Sequence, residues 1–154
     1  MKKILFICLL CLVCNATDSK YNNYFIKYGK IYKIPPELLW GIAKTESNFK
    51  PNAININPNG SYDIGIMQIN SSHKNWLKSQ KISLDDLYDP GINIAVGSKI
   101  LSMCIRKFGF TYKSLNCYNS GLSNTESNNY HLKVLNNIRN KRQKNQLRRY
   151  ILLK

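Results

Sequence analysis

At 154 residues and 44% hydrophobic content, the chain suits one compact domain with a true core and leaves no room for a second. A formal net charge of +15 draws it to a polyanion, whether nucleic acid, a phospholipid surface or an acidic envelope polymer, and excludes none of these by itself.

Lys2 and Lys3 precede an unbroken apolar run from Ile4 to Val13, and Cys14-Asn15-Ala16 supplies small residues for cleavage, so residues 1–16 read as a secretory signal. The run is about half of the roughly 20 residues that cross a bilayer. The expectation is an exported protein, periplasmic or wall-associated, with no membrane span once the signal is removed. Lipid attachment at Cys14 is disfavoured because Val13 stands where lipoprotein signals carry a small residue. Of five cysteines, Cys8, Cys11 and Cys14 leave with the signal, and Cys104 and Cys117 remain. In an oxidising compartment they suggest one disulfide, stabilising by roughly 3 kcal/mol in the chain-entropy model; two buried free thiols are the competing reading.

Tyr24, Phe25, Tyr28, Ile31 and Tyr32 recur at helical spacing until Pro35-Pro36 stops one helix and starts the next, which runs to about Phe49. Pro51 to Tyr62 is dense in Asn, Pro, Gly and Ser and predicts an irregular loop, followed by an apolar stretch from Ile64 to Ile69. Ser71-Ser72 can cap a helix through Gln80. Pro90 to Phe108 has the apolar density of a central helix and ends at Gly109. A shorter helix includes Leu115 and Tyr118, Gly121 to Asn129 is a polar loop, and a basic helix closes the chain from about Tyr130. The class is mainly helical, a single domain with at most a small β element. The expected division is signal 1–16, catalytic domain 17–126 and basic C-terminal helix or tail 127–154.

Glu46 is the candidate for chemistry. Ile34, Leu38, Leu39, Ile42 and Phe49 define a helix whose inner face carries this glutamate near its end, where it can be kept protonated. Acids are scarce: Asp18, Glu37, Glu46, Asp63, Asp85, Asp86, Asp89 and Glu126 are all of them, and only Asp63 falls near Glu46 and Gln68. One acid must do most of the work. It suffices for glycosidic cleavage if the substrate traps its own cation, with Glu46 first giving a proton to the leaving sugar and then accepting one from the substrate's hydroxyl.

Three blocks in order, Glu46-Ser47, Gly65-Ile66-Met67-Gln68 and Tyr118-Asn119-Ser120-Gly121, resemble the signature motifs of the soluble lytic transglycosylases, a family related in fold to goose-type lysozyme. The resemblance implies an α+β lysozyme-like domain with a substrate cleft. It implies cleavage of peptidoglycan glycan strands between N-acetylmuramic acid and N-acetylglucosamine, leaving 1,6-anhydro ends and needing no cofactor. By matching positions, Glu46 is acid and then base, Gln68 lines the sugar cleft, and Tyr118 directs its hydroxyl toward the glutamate. Asn55, Asn70 and Asn119 are expected on the substrate, while Ser47, Gly65 and Met67 support the site. The Asn-rich loop Ile54 to Gly60 lengthens the spacing between the first two blocks and should lie beside the cleft. Asn70 stands where goose-type lysozymes carry an aspartate that helps water attack; an amide cannot act as that base, which favours transglycosylation. The short chain is most similar to the small transglycosylases that accompany type III and type IV secretion and conjugation systems, whose proteins are the expected partners.

Two other readings compete: a lysozyme-type hydrolase (muramidase) in which Asp63 positions water, and a non-catalytic basic component of such an apparatus. A signal segment argues against a cytoplasmic role on nucleic acid, and His73 and His131 lack the spacing of metal ligands. From Ser127 onward no residue is acidic, and Lys141, Arg142, Lys144, Arg148 and Arg149 make a basic face, solvated by default or holding the enzyme to an anionic wall.

Overall fold

The computed structural model describes residues 20–121 and 128–152. The signal segment at 1–16, Cys14 within it, and the boundary at 126/127 lie outside the described residues. Helix α1, Asn22–Tyr32, closes on Lys33 in the left-handed conformation, whose N–H returns to the Gly29 carbonyl. Helix α2, Pro36–Ser47, starts on a proline, whose missing N–H has no helical partner to lose in the first turn. It buries an unbroken run from Leu38 to Ala43, as a helix surrounded by protein must. Asn48 and Phe49 both take positive φ, so the chain reverses at once and the Phe49 ring returns to Trp40, 5.0 Å between centroids.

The segment expected as an irregular loop carries a strand. β1 (Ile54–Ile56), β2 (Tyr62–Ile64) and β3 (Ile69–Asn70) form an antiparallel sheet in that order. Burial gives no signal for β1, because Ile54 and Ile56 both point into solvent. Register places Asn55 opposite Asp63 and Asp63 opposite Asn70, so three polar side chains form one row across the sheet. The helix expected from Ser71 to Gln80 is a 3-10 turn, Ser71–His73, followed by α3, Lys74–Ser79. Its cap is Asn70, whose side chain accepts the Ser72 N–H at 2.9 Å.

A second 3-10 turn, Asp85–Tyr88, leads to α4, Pro90–Phe108, capped by Asp89. Then follow α5, Tyr112–Ser120, and two helices where one was expected: α6, Tyr130–Asn137, and α7, Lys141–Leu152. A disulfide joins Cys104 of α4 to Cys117 of α5. One apolar cluster runs through the described residues from Tyr21 to Ile151, and Val134, Leu135, Ile138 and Leu147 belong to it. The architecture is mainly helical with a small sheet, as the sequence predicts.

Candidate active site

A cleft of about 1150 Å³ runs between the sheet and the α4–α5 pair. Glu46, Asn55, Asp63, Gln68, Asn70, Tyr118 and Asn119 all line it, so the sequence-predicted acid and the five expected substrate contacts share one cavity with the second carboxylate.

The Gly65–Gln68 turn that brings Gln68 there is held from three sides. Gly65 has φ +80°, and a Cβ would fall 2.2 Å from the Asn93 amide and 2.6 Å from the Leu87 carbonyl, so only glycine fits. Asn93, fully buried on α4, accepts the Met67 N–H at 2.8 Å and donates to the carbonyls of Ile64 and Leu87 at 2.9 and 2.8 Å. Ser47 donates to the Ile66 carbonyl at 2.8 Å, tying the end of α2 to the turn across 19 residues. Gln68, at φ +50°, donates both amide hydrogens, to Ala53 and Gly65 carbonyls at 3.2 and 2.9 Å. The carbonyl of its side chain is the polar group left for a ligand.

Tyr118 does not reach Glu46 with its hydroxyl, contrary to expectation: it donates to the Met67 carbonyl at 2.8 Å. Gly97 leaves it room, since a Cβ there would stand 3.0 Å from that hydroxyl and 2.8 Å from the Met67 sulfur. The hydroxyl on Glu46 is Tyr130's, donated to Oε1. Tyr130 is buried at the start of α6 and stacks on Tyr118, 6.4 Å between centroids. Asn116 of α5 accepts the His131 N–H at 3.3 Å and so ties α6 to the cleft wall. Sequence reading missed Tyr130 because its partner, Glu46, lies 84 residues away. The available signal was the helical spacing of Tyr130, Val134, Leu135 and Ile138.

Burial pushes the Glu46 carboxyl up to about 7, reinforced by the negative charge of Asp63 and opposed by the Tyr130 hydrogen bond and the Lys133 charge. Near neutrality such a group can both give and take a proton. Tyr130 and Tyr118 are themselves raised, by burial first and by the glutamate's charge second, so both stay protonated donors. Asp63 lies in the same cleft as the acceptor of three amides: Asn70 at 2.6 Å, Asn57 at 3.0 Å and Asn55 at 3.2 Å. Asn55 and Asn70 thus hold the aspartate as well as facing the cleft. Asn119 is exposed at the end of α5. An acid poised at pH 7, beside a carboxylate held in place by amides and inside a polar cleft, can protonate a leaving oxygen and stabilise a cation that forms next to it.

Residues 23–145 match the transglycosylase SLT domain family. The chain is 38% identical over 128 residues to the invasion protein IagB of Salmonella typhi, covering 80% of each. It is 39% identical over 133 residues to the X polypeptide of Escherichia coli K12, covering 84% of this chain and 76% of that one. Its fold resembles the 70 kDa soluble lytic transglycosylase of Escherichia coli with a TM-score of 0.59 at 24% identity, over 82% of this chain and 22% of that one. Fold and cleft therefore define a lysozyme-like enzyme. The chain belongs to the transglycosylase SLT family and is a lytic transglycosylase, an enzyme of peptidoglycan and hence of an extracytoplasmic site. No helix among the described residues is long and apolar enough to cross a membrane.

Proposed function

We propose that Glu46 cleaves the bond between N-acetylmuramic acid and N-acetylglucosamine without water, leaving a 1,6-anhydro end. The protonated carboxyl gives its proton to the glycosidic oxygen, the anomeric C–O bond breaks, and the glucosamine leaves as an alcohol. The muramyl 6-hydroxyl oxygen then bonds to the anomeric carbon and returns a proton to Glu46, so the acid is regenerated. Asp63 faces the cation formed between these steps and stabilises it electrostatically. Gln68 and Asn119 bind the sugars; Tyr118 supports the Gly65–Gln68 turn and the cleft wall.

The observation that carries this reading is the contrast between the two carboxylates. Glu46 is poised to exchange a proton, whereas Asp63 already accepts three amide hydrogens out of about four positions. A carboxylate so occupied is a poor base for water. The hydrolytic reading retains one observation in its favour, the presence of Asp63 in the cleft with Glu46. Mass spectrometry of a cell-wall digest separates the two. Anhydro ends are expected, and reducing ends as the main product would overturn the proposal in favour of a muramidase. Glu46→Gln is expected to abolish digestion with the fold intact; full digestion by that variant would take the proton-donor role away from Glu46.

The exported form, freed of residues 1–16, acts in the periplasm, where a small enzyme opens the wall locally for a secretion or conjugation apparatus. The likeness to a protein named for invasion supports this setting.

A further inference from the structure

Helices α1 and α7 meet at an open groove of about 670 Å³ that shares no lining residue with the cleft. Phe25, Ile26, Trp40, Phe110, Leu147 and Tyr150 give it an apolar wall. Ile26 and Tyr150 stand at its rim 57% and 52% exposed, an arrangement that costs free energy in water and marks a surface meant for contact. The indole N–H of Trp40 is buried and finds no acceptor among the described residues.

Cations frame this apolar strip. Lys30 and Lys33 follow Ile26 by four and seven residues and so continue its stripe along and just beyond α1. On α7, Gln143, Leu147 and Tyr150 line the groove, and Arg142 and Arg149 flank them at helical spacing. All four cations are exposed, and none has an ion-pair partner among the described residues. Among the described residues the one carboxylate lining the groove, Glu37, is already bound by Arg139 at 2.9 Å.

The geometry points to a lipid-binding face: we propose that α1 and α7 seat the enzyme reversibly on an anionic phospholipid bilayer, with Ile26 and Tyr150 entering the headgroup layer and Lys30, Lys33, Arg142 and Arg149 facing lipid phosphates. Charge complementarity selects an anionic partner. The exposed apolar residues among the cations select a bilayer over an acidic polymer, which offers them nothing. The charges are spread along two helices and do not converge on a point, which suits a surface better than a single acidic segment. Tyrosine, with an apolar ring and polar tip, is at home at headgroup depth. Trp40 and Glu46 lie six residues apart on α2, about 9 Å along its axis, so the groove can be occupied while the cleft remains open to glycan. A basic patch combined with shallow apolar insertion gives attachment that is reversible, unlike a span.

The test is co-sedimentation of the exported protein, purified as the cell processes it, with vesicles of phosphatidylethanolamine and phosphatidylglycerol, against vesicles of phosphatidylcholine. Binding to the anionic vesicles only is expected. Ile26→Ser with Tyr150→Ser should weaken it about tenfold, and Arg142→Gln with Arg149→Gln about 30-fold, at roughly fivefold per cation. Lys74→Gln with Lys78→Gln removes equal charge from α3 and should change it little. These positions are exposed, and circular dichroism checks each fold. The proposal is overturned if anionic vesicles are not bound, if the apolar pair binds as well as the parent, or if the α3 pair matters as much as the α7 pair. It is equally overturned if the protein ignores vesicles while binding a Glu-rich peptide, or while forming a dimer that Ile26→Ser dissolves.

Discussion

Glu46 is held between opposing influences that can be removed one at a time. Tyr130 donates to the ionised carboxylate and so favours loss of the proton, whereas Asp63 places negative charge nearby and disfavours it. The first step of cleavage needs the protonated form, so activity should fall as pH rises through about 7. Tyr130→Phe takes away the donor, and the alkaline limb should move to higher pH while turnover drops by about tenfold through loss of positioning. Asp63→Asn takes away the charge, and the limb should move to lower pH with turnover down by about a hundredfold, the scale of losing one electrostatic contact to a developing charge. Initial rates of wall digestion across the neutral range read both. Shifts of the same sign in the two variants would show that neither residue acts through the protonation of Glu46.

At the scale of elements, the site is where α2, the small sheet, α5 and α6 meet, and the fixed point is the turn from Gly65 to Gln68. Asn93 satisfies three buried main-chain groups of or beside that turn. Asn93→Ala leaves one N–H and two carbonyls without partners, at about 1 kcal/mol or more for each group that stays dry. A loss of roughly 3 kcal/mol in urea unfolding is expected, with a larger loss of activity than of helicity, because the turn loosens before the helices do. Stability within about 0.5 kcal/mol of the parent would show that water replaces the amide. What the sequence made legible follows from the same physics. Helices α1, α2 and α4 announce themselves by apolar spacing and by Pro35-Pro36, Pro90 and Gly109, and they are found within two residues of expectation. Strand β1 was invisible because its three residues are exposed, and Tyr130 because its partner, Glu46, is 84 residues away. Long-range polar pairs leave no periodic trace in a chain. Asn93 was hidden in the same way, as a polar residue inside an apolar helix whose partners lie on another element.

For the whole molecule, the basic C-terminal segment is both surface and core. Lys141, Arg142 and Arg149 face outward, while Leu147 and Ile151 of α7 are 4% and 1% exposed and pack into the cluster that contains α2. Lys144 and Arg148 hold Asn136 through its carbonyl and side chain, each at 2.8 Å, so α7 also fastens the end of α6, the helix that begins with Tyr130. Charge and stability can therefore be separated only by choosing the right substitutions. Truncation at Asn137 removes about 1.5 to 3 kcal/mol for each of the three buried apolar side chains lost with it, Ile138, Leu147 and Ile151, a large share of the 5 to 15 kcal/mol that typically holds a domain together. The melting midpoint should fall by about 10 °C or more, and activity should fall with it as Tyr130 loses its support. Replacing Lys141, Arg142 and Arg149 together by glutamine touches no buried group and should leave the midpoint within a few degrees, while weakening sedimentation with wall sacculi or lipid at low salt. A truncated chain as stable as the parent would mean that α7 rides on the fold without sustaining it, and the two experiments run side by side distinguish a tether from a structural strut.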